Sequence, residues 1–295
     1  MQFVSNCSDS KFMAQYPQKQ VDISLALLFE VLDALKGYGE NVVLVGGWAP
    51  YFLLKKFSDA DEQEHVGSLD ADLALNFRHI PEDAYETILE TIQRIGYSQR
   101  TNAAGKPIPA SFQKTVNVDG IPYTMQLDFL AGEYGGTAQS HRHQHVQEML
   151  AHKVRGADLV FDQHYTKDVH GTLLNGARIT VRMSFANEVA IFAMKGICIG
   201  QRSKPKDYYD LYMLAKHFKD GPADLAAQLG PHAKNPLLQE AIANVKRYFR
   251  MPEDFGPTSV ADFLGEDDPE SREILRRDAF EVVSSVLAQI APNES

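Results

Sequence analysis

Cysteine is scarce in this chain: there are two in 295 residues, and they sit in unlike surroundings, Cys7 in a polar N-terminal stretch and Cys198 within an apolar helical pattern. Such a pair excludes a disulfide-built scaffold and a cysteine-ligated zinc knuckle. No apolar run approaches the ~20 residues that a membrane-spanning helix needs. The N-terminal MQFVSNCSDSKFMAQYPQKQ also lacks the basic-then-apolar profile of a signal peptide. The expectation is a cytoplasmic protein with no membrane partner. Positive charge is short as well: 29 Lys and Arg stand against 39 Asp and Glu, a formal net charge of -10. That excludes a surface attracting nucleic acid over its whole extent, while leaving room for a local basic cleft.

What is present is material for a core. A chain that is 44% hydrophobic and 23% charged has a globular composition, and its length suits one large domain or two ordinary ones. Residues 21–36, VDISLALLFEVLDALK, repeat apolar side chains at helical spacing. VVLV at 42–45 is a short apolar strand, broken by Gly46-Gly47, and WAPYFLLKKF resumes as a helix with Pro50 in its first turn. PEDAYETILETIQRIGY at 81–97 predicts a further helix. SFQKTVNV and IPYTMQLDFL flank Asp119-Gly120, a strong two-residue hairpin signal. Residues 131–176 are rich in Gly and His and show no clear period, and 177–183 read as one more strand. From there the periodicity is helical to the end. A boundary near 183 therefore divides an α/β part, 1–183, from a helical part, 184–295.

Within the α/β part, GSLDADLAL at 67–75 puts two aspartates into an apolar run. Strand side chains alternate, so Asp70 and Asp72 project from one face while Leu69, Ala71 and Leu73 project from the other. Adjacent carboxylates repel unless a proton, a basic partner or a divalent cation neutralises them. Taken alone, the short pattern reads first as an edge strand with a solvated polar face, and context has to decide. Asp128 adds a third carboxylate on an apolar strand, and three hard oxygen donors on rigid elements are what metal-assisted phosphoryl chemistry requires. A glycine turn leading into a helix, as at Gly46-Gly47, lets backbone N–H groups approach a phosphate.

The order strand, GGW, helix, GSxDxDL and then a later strand carboxylate resembles the nucleotidyltransferase superfamily of the DNA polymerase β type. GGWA at 46–49 with HVGSLDADLAL at 65–75 resembles its AbiEii-like branch, toxins of type IV toxin–antitoxin systems, and FAMKGICIGQRSKPKDYYDLYML at 192–214 resembles a second segment of that branch. The GGW opening is also similar to aminoglycoside and lincosamide nucleotidyltransferases. The resemblance implies an α/β (α+β) nucleotidyltransferase core with a mixed sheet, followed by a mostly helical C-terminal region. It implies transfer of an NMP from an NTP to an acceptor hydroxyl with Mg²⁺ or Mn²⁺ held by Asp70, Asp72 and Asp128, which are also the catalytic residues. Gly46, Gly47, Ser68 and Lys195 would contact the nucleotide, with Asp207 and Asp210 orienting the lysine or the substrate. The acceptor would be an RNA such as a tRNA 3′ end, with an antitoxin as protein partner, or else a small hydroxylated molecule such as an antibiotic. A non-catalytic nucleotide-binding module is the remaining alternative. The sequence departs from the branch at His65 and Val66, where many relatives carry an arginine, and at the small Ala71.

Other residues read more plainly. Trp48, the only tryptophan, is expected in the core. His141, His143 and His145 alternate, but in a polar Gly-rich setting that reads as an exposed loop and not a zinc site. Arg202, Lys204 and Lys206 form a basic run suited either to a polyphosphate or RNA, or to a solvated loop between helices.

Overall fold

A computed structural model describes residues 16–57, 65–76, 87–132, 143–146 and 149–290. Helix α1 (Gln18–Ala34) buries Val21, Leu27, Leu28, Val31 and Leu32 and packs across the sheet, as its apolar stripe requires. Strand β1 (Val42–Val45) is buried at every position, which is why VVLV shows no alternation. The glycine pair follows, and then α2 (Trp48–Phe57), whose Pro50 falls in the first turn, where no hydrogen-bond donor is missed.

The sheet contains β1, β2 (Asp70–Leu75), β3 (Ser98–Thr101), β4 (Pro107–Val118), β5 (Ile121–Ala131), β6 (His143–Val146), β7 (Met149–Lys153), β8 (His164–Thr172) and β9 (Arg178–Ala186). Its spatial order is β3-β4-β5-β2-β1-β9-β8, with β7 joined to β5 and β6 to β7. β1 and β2 are antiparallel, while β2–β5 and β1–β9 are parallel, so the sheet is mixed, as expected. Asp119 and Gly120 close the β4–β5 hairpin at φ 54° and 81°, the left-handed conformations that a two-residue turn demands.

The structure revises three sequence readings. The helix expected over 81–97 is α3 (Ile88–Arg94), begun by Thr87, whose hydroxyl accepts the Glu90 N–H; residues 81–86 lie outside the described residues. The stretch without a period, 131–176, holds β6, β7 and β8. Strand β8 pairs with β9 along its whole length, but HYTKDVHGT is an edge strand, half-exposed throughout, and so lacks an apolar face to announce it. The segment with the alternating histidines is likewise a strand and not a loop: His143 pairs with His152 and His145 with Leu150, while His141 lies outside the described residues.

The C-terminal part is helical: α4 (Glu188–Gln201), α5 (Pro205–His217), α6 (Pro222–Leu229), α7 (Pro236–Tyr248), α8 (Phe255–Leu264) and α9 (Pro269–Gln289). Four of these helices begin with proline, whose fixed φ suits the first turn. One continuous apolar core runs from α1 through the sheet into α9. Among the described residues no helix is long and apolar enough to cross a membrane.

Helices α4 and α7 meet at Gly196, where an added Cβ would lie 2.6 Å from the Ala241 Cβ and 2.9 Å from its Cα. The Asn244 amide also donates to the Gly196 carbonyl at 3.0 Å. Gly196→Ala, which would favour an isolated helix, is therefore expected to destabilise the protein by about 1–3 kcal/mol through overpacking. A lowered urea midpoint checks this.

Candidate active site

Strand pairing assembles the carboxylates. Asp72 is the register partner of Val45 on one side and of Asp128 on the other, so the two carboxylates stand beside each other on adjacent parallel strands. Asp70 lies two residues along β2, on the same face as Asp72. The residues between and after them, Ala71 and Leu73, are fully buried on the opposite face.

The electrostatic cost of this arrangement is visible. Burial, and then the neighbouring Asp128, push the Asp72 carboxyl up to about 6. Asp70 is raised as well, first by burial, with Lys204 and Arg100 opposing the effect of Asp128. Asp128 Oδ1 is buried without a hydrogen-bond partner among the described residues. Across from Asp128 on β4, Ser111 accepts a 2.9 Å hydrogen bond from Arg100 Nη1, and the preceding Ala110 takes φ 59°, an uncommon conformation for a side-chain-bearing residue and one found at functional sites.

The glycine turn closes over this face. Gly46 has φ 64°, and a Cβ there would fall 1.9 Å from Asp72 Oδ2, so both backbone conformation and space demand glycine. A Cβ on Gly47 would fall 2.7 Å from Ser68 Oγ and 3.3 Å from Lys206 Cε. The turn thus lies against Asp72, Ser68 and Lys206 at once. Trp48 is fully buried, as expected of a core residue, with its ring 5.0 Å from Tyr51.

A cationic cluster faces the carboxylates. Lys195 of α4 is buried, with Nζ 2.8 Å from Asp207 Oδ1 and 2.6 Å from Asp210 Oδ2. Lys206 Nζ donates to Asp210 Oδ1 at 2.7 Å, one helical turn away on α5. Arg202 Nε donates to Asp207 Oδ2 at 2.8 Å. Burial alone would lower Lys195, but Asp210 and Asp207 outweigh it and hold the ammonium charged. Burial would raise Asp210, yet Lys195 and Lys206 keep it well below the carboxylate range. Lys206 is lowered by burial, which Asp210 only partly offsets.

His65 ties this cluster to the segment before β2. Its Nδ1 accepts the Gly67 N–H at 3.1 Å, so the proton sits on Nε2, which donates to Asp210 Oδ1 at 3.0 Å. Burial, with Lys206 adding to it, depresses the imidazole to about 4 and keeps it neutral.

All the sequence-nominated residues thus converge: Gly46, Gly47, Ser68, Asp70, Asp72 and Asp128 around the turn, and Lys195, Asp207 and Asp210 in the adjoining ion-pair cluster. Asp207 and Asp210 act on the lysine. The basic run separates into three roles, with Arg202 paired to Asp207, Lys204 exposed near Asp70, and Lys206 buried beneath the turn. The structure adds Lys206 and His65 as members of the site. The i, i+4 spacing of Lys206 and Asp210 carried that information for the lysine; nothing local carried it for His65.

Three strand carboxylates opposite a glycine turn and a buried cationic cluster, on a mixed sheet with helical cover, are the arrangement expected of a nucleotidyltransferase. Residues 27–285 match the family described as "Nucleotidyl transferase AbiEii toxin, Type IV TA system", and the chain belongs to that family. No curated protein and no solved structure matches it.

Two titrations in this site oppose each other. The raised Asp72 penalises the fold at neutral pH, and that penalty is relieved as pH falls through about 6 towards the unfolded carboxylate value. The depressed His65 does the reverse: the unfolded chain takes up its proton near 6.5 and the folded one near 4, so stability is lost across that interval as pH falls. Asp72→Asn is expected to raise stability at pH 7 by about 1–2 kcal/mol and to steepen the acid loss. His65→Gln should flatten it. Urea midpoints from pH 7 to 4.5 for the three proteins check both signs.

Proposed function

We propose that this nucleotidyltransferase moves an NMP from an NTP to a hydroxyl of an RNA acceptor such as a tRNA 3′ end, that a divalent cation, Mg²⁺ or Mn²⁺, assists it, and that a cognate antitoxin restrains it in the cytoplasm. The observation that carries the reading is the opposition of two side-chain sets across the Gly46-Gly47 turn: Asp70 and Asp72, raised first by burial, and the buried lysines Lys195 and Lys206, held by Asp210.

The donor set fits a hard cation. Asp70, Asp72 and Asp128 supply only oxygens, and Asp128 Oδ1 has no hydrogen-bond partner among the described residues. Among the described residues no group of three or more His, Cys, Asp or Glu side chains forms a ready metal cage. A cation held here would therefore need water and substrate phosphate oxygens to complete its coordination. When bound, it would neutralise the phosphates and the developing negative charge.

The chain's own residues do the rest. The N–H groups of the turn and the N-terminus of α2 receive the triphosphate, with Ser68 beneath them. Lys195 and Lys206 draw the phosphates from the other side, each held in place by Asp210 and, for Lys195, by Asp207 as well. The acceptor hydroxyl attacks the α-phosphate in line, its proton passes to Asp128 Oδ1, and pyrophosphate leaves. On the division near residue 183, the α/β part contributes the carboxylates and the helical part the lysines.

The test is incubation of the protein with each α-labelled NTP, Mg²⁺ or Mn²⁺ and bulk tRNA, with an aminoglycoside panel in parallel. Label is expected in RNA, falling about 10²-fold or more in Asp70→Asn while the circular dichroism spectrum is unchanged. Labelling of a drug in place of RNA would overturn the acceptor assignment. Metal-dependent NTP binding without transfer to any acceptor would leave a binding module, and wild-type turnover in Asp70→Asn would remove the catalytic assignment.

A further inference from the structure

Strand register extends the row of acids towards the edge of the sheet. Asp72 pairs with Asp128 and Asp128 with Ser111, so the three share one face of β2, β5 and β4, and Ser111 is buried there. Arg100 of β3 completes the row: its Nη1 donates to Ser111 Oγ at 2.9 Å, its one hydrogen bond among the described residues. Two irregularities place that guanidinium. The register of β3 with β4 breaks at Arg100, which stands alone between Gln99 and Thr101, where β4 has Ile108, Pro109, Ala110 and Ser111 between their partners Pro107 and Phe112. Such a bulge bends the strand and re-aims a side chain beside a site. Ala110, within the bulge, holds φ 59°, a costly conformation kept where the surrounding structure imposes it.

The side of the acids on which Arg100 lies decides what it can meet. The glycine turn follows β1, which flanks β2 on one side, while β5, β4 and β3 lie in order on the other. Of the cations whose charge lowers Asp70, Lys204 and Lys206 stand at the start of α5, and Arg100 comes from β3. In an in-line transfer the nucleophile and the leaving pyrophosphate lie on opposite sides of the α-phosphate. With the triphosphate at the turn, the acceptor approaches over β5 and β4, the side that holds Arg100. Anchored at Ser111, the guanidinium is about two strand spacings, roughly 10 Å, from β2. The adjoining row on this face runs from Asp70 through Gln126 and Gln113 to Ser98, and beyond Asp70 it carries only neutral donors and acceptors. On a chain of net charge -10, these two rows thus offer an approaching polyanion one cation and no carboxylate beyond the three acids.

We propose that Arg100 is an acceptor-binding residue whose guanidinium takes the phosphodiester next to the reacting hydroxyl of an RNA strand laid across β5 and β4, which rests on the RNA-acceptor reading and extends it to a named residue. A guanidinium held by one hydrogen bond keeps further N–H groups for a phosphate, which it meets as a planar fork. The same charge repels a cationic aminoglycoside, so Arg100 also discriminates between the two acceptor classes.

The experiment is titration of fluorescently labelled tRNA, and of an oligoribonucleotide of its 3′ end, against the full chain without NTP, repeated from about 50 to 200 mM salt. Arg100→Gln, at a half-buried position on the edge strand β3, is expected to weaken both RNAs about tenfold and to reduce the slope of log affinity against log salt by about 0.7–1, the signature of one lost phosphate contact. Arg100→Lys should keep the slope and recover part of the affinity. NTP with Mg²⁺, followed by equilibrium dialysis of the same samples, should bind all three proteins alike. Unchanged RNA affinity in Arg100→Gln, or a loss of affinity with the slope intact, would overturn the proposal. So would a loss of NTP affinity equal to that of RNA, which would move Arg100 to the triphosphate. A wild-type chain that binds NTP but neither RNA would remove the RNA-acceptor reading and this proposal together, whereas RNA binding that Arg100→Gln leaves intact fails this proposal alone.

Discussion

The carboxylate of Asp210 is fully buried, and its two oxygens receive Lys195, Lys206 and His65. Taking one anion and two ammonium groups out of water costs several kcal/mol per ion, and close pairing offsets that cost only when each charge finds its partners. Here each one does, and the result is positional. One residue fixes α4 to α5, holds Lys206 under the glycine turn, and through the imidazole ring of His65 fixes the backbone at Gly67 just ahead of Ser68 and Asp70. Removing Asp210 would leave Lys206 without its carboxylate and Lys195 with Asp207 alone, so the geometry of the cationic half of the site rests on this carboxylate.

The other half of the site is built on the opposite principle. Asp70, Asp72 and Asp128 are brought together by strand register, and burial, followed by the neighbouring Asp128, raises Asp72. A fold keeps such repulsion when something outside the chain is meant to relieve it. One half of the site is thus paired within the chain and the other carries a buried carboxylate oxygen without a partner among the described residues, the asymmetry on which the proposed binding of a cation and a polyphosphate rests.

Much of this was legible in the chain because it depends on short-range geometry. Alternation placed Asp70 and Asp72 together, Asp119-Gly120 fixed the hairpin that carries Asp128, and the glycine pair marked the turn. The C-terminal helices declared themselves by apolar period. What stayed hidden depends on contacts distant in sequence. Strand β8 has no apolar face to reveal it, since its partner β9 supplies the register. His65 looked like a departure from an arginine, and only the approach of Asp210 shows it as a neutral donor. Lys206 read as one member of a basic run until α5 turned it inwards.

The hydrogen bond from His65 to Asp210 spans 145 positions. During synthesis the strand carrying Asp70 and Asp72 leaves the ribosome well before α5 exists, and at about 5–20 residues per second the interval between them lasts roughly ten seconds or more. Throughout that interval the nascent chain has its acids but not its lysines, and therefore no complete site. For a member of a toxin family this ordering has a consequence under the proposed reaction: a translation product ending before α5 lacks Lys206 and Asp210, and so lacks part of the set assigned to the triphosphate.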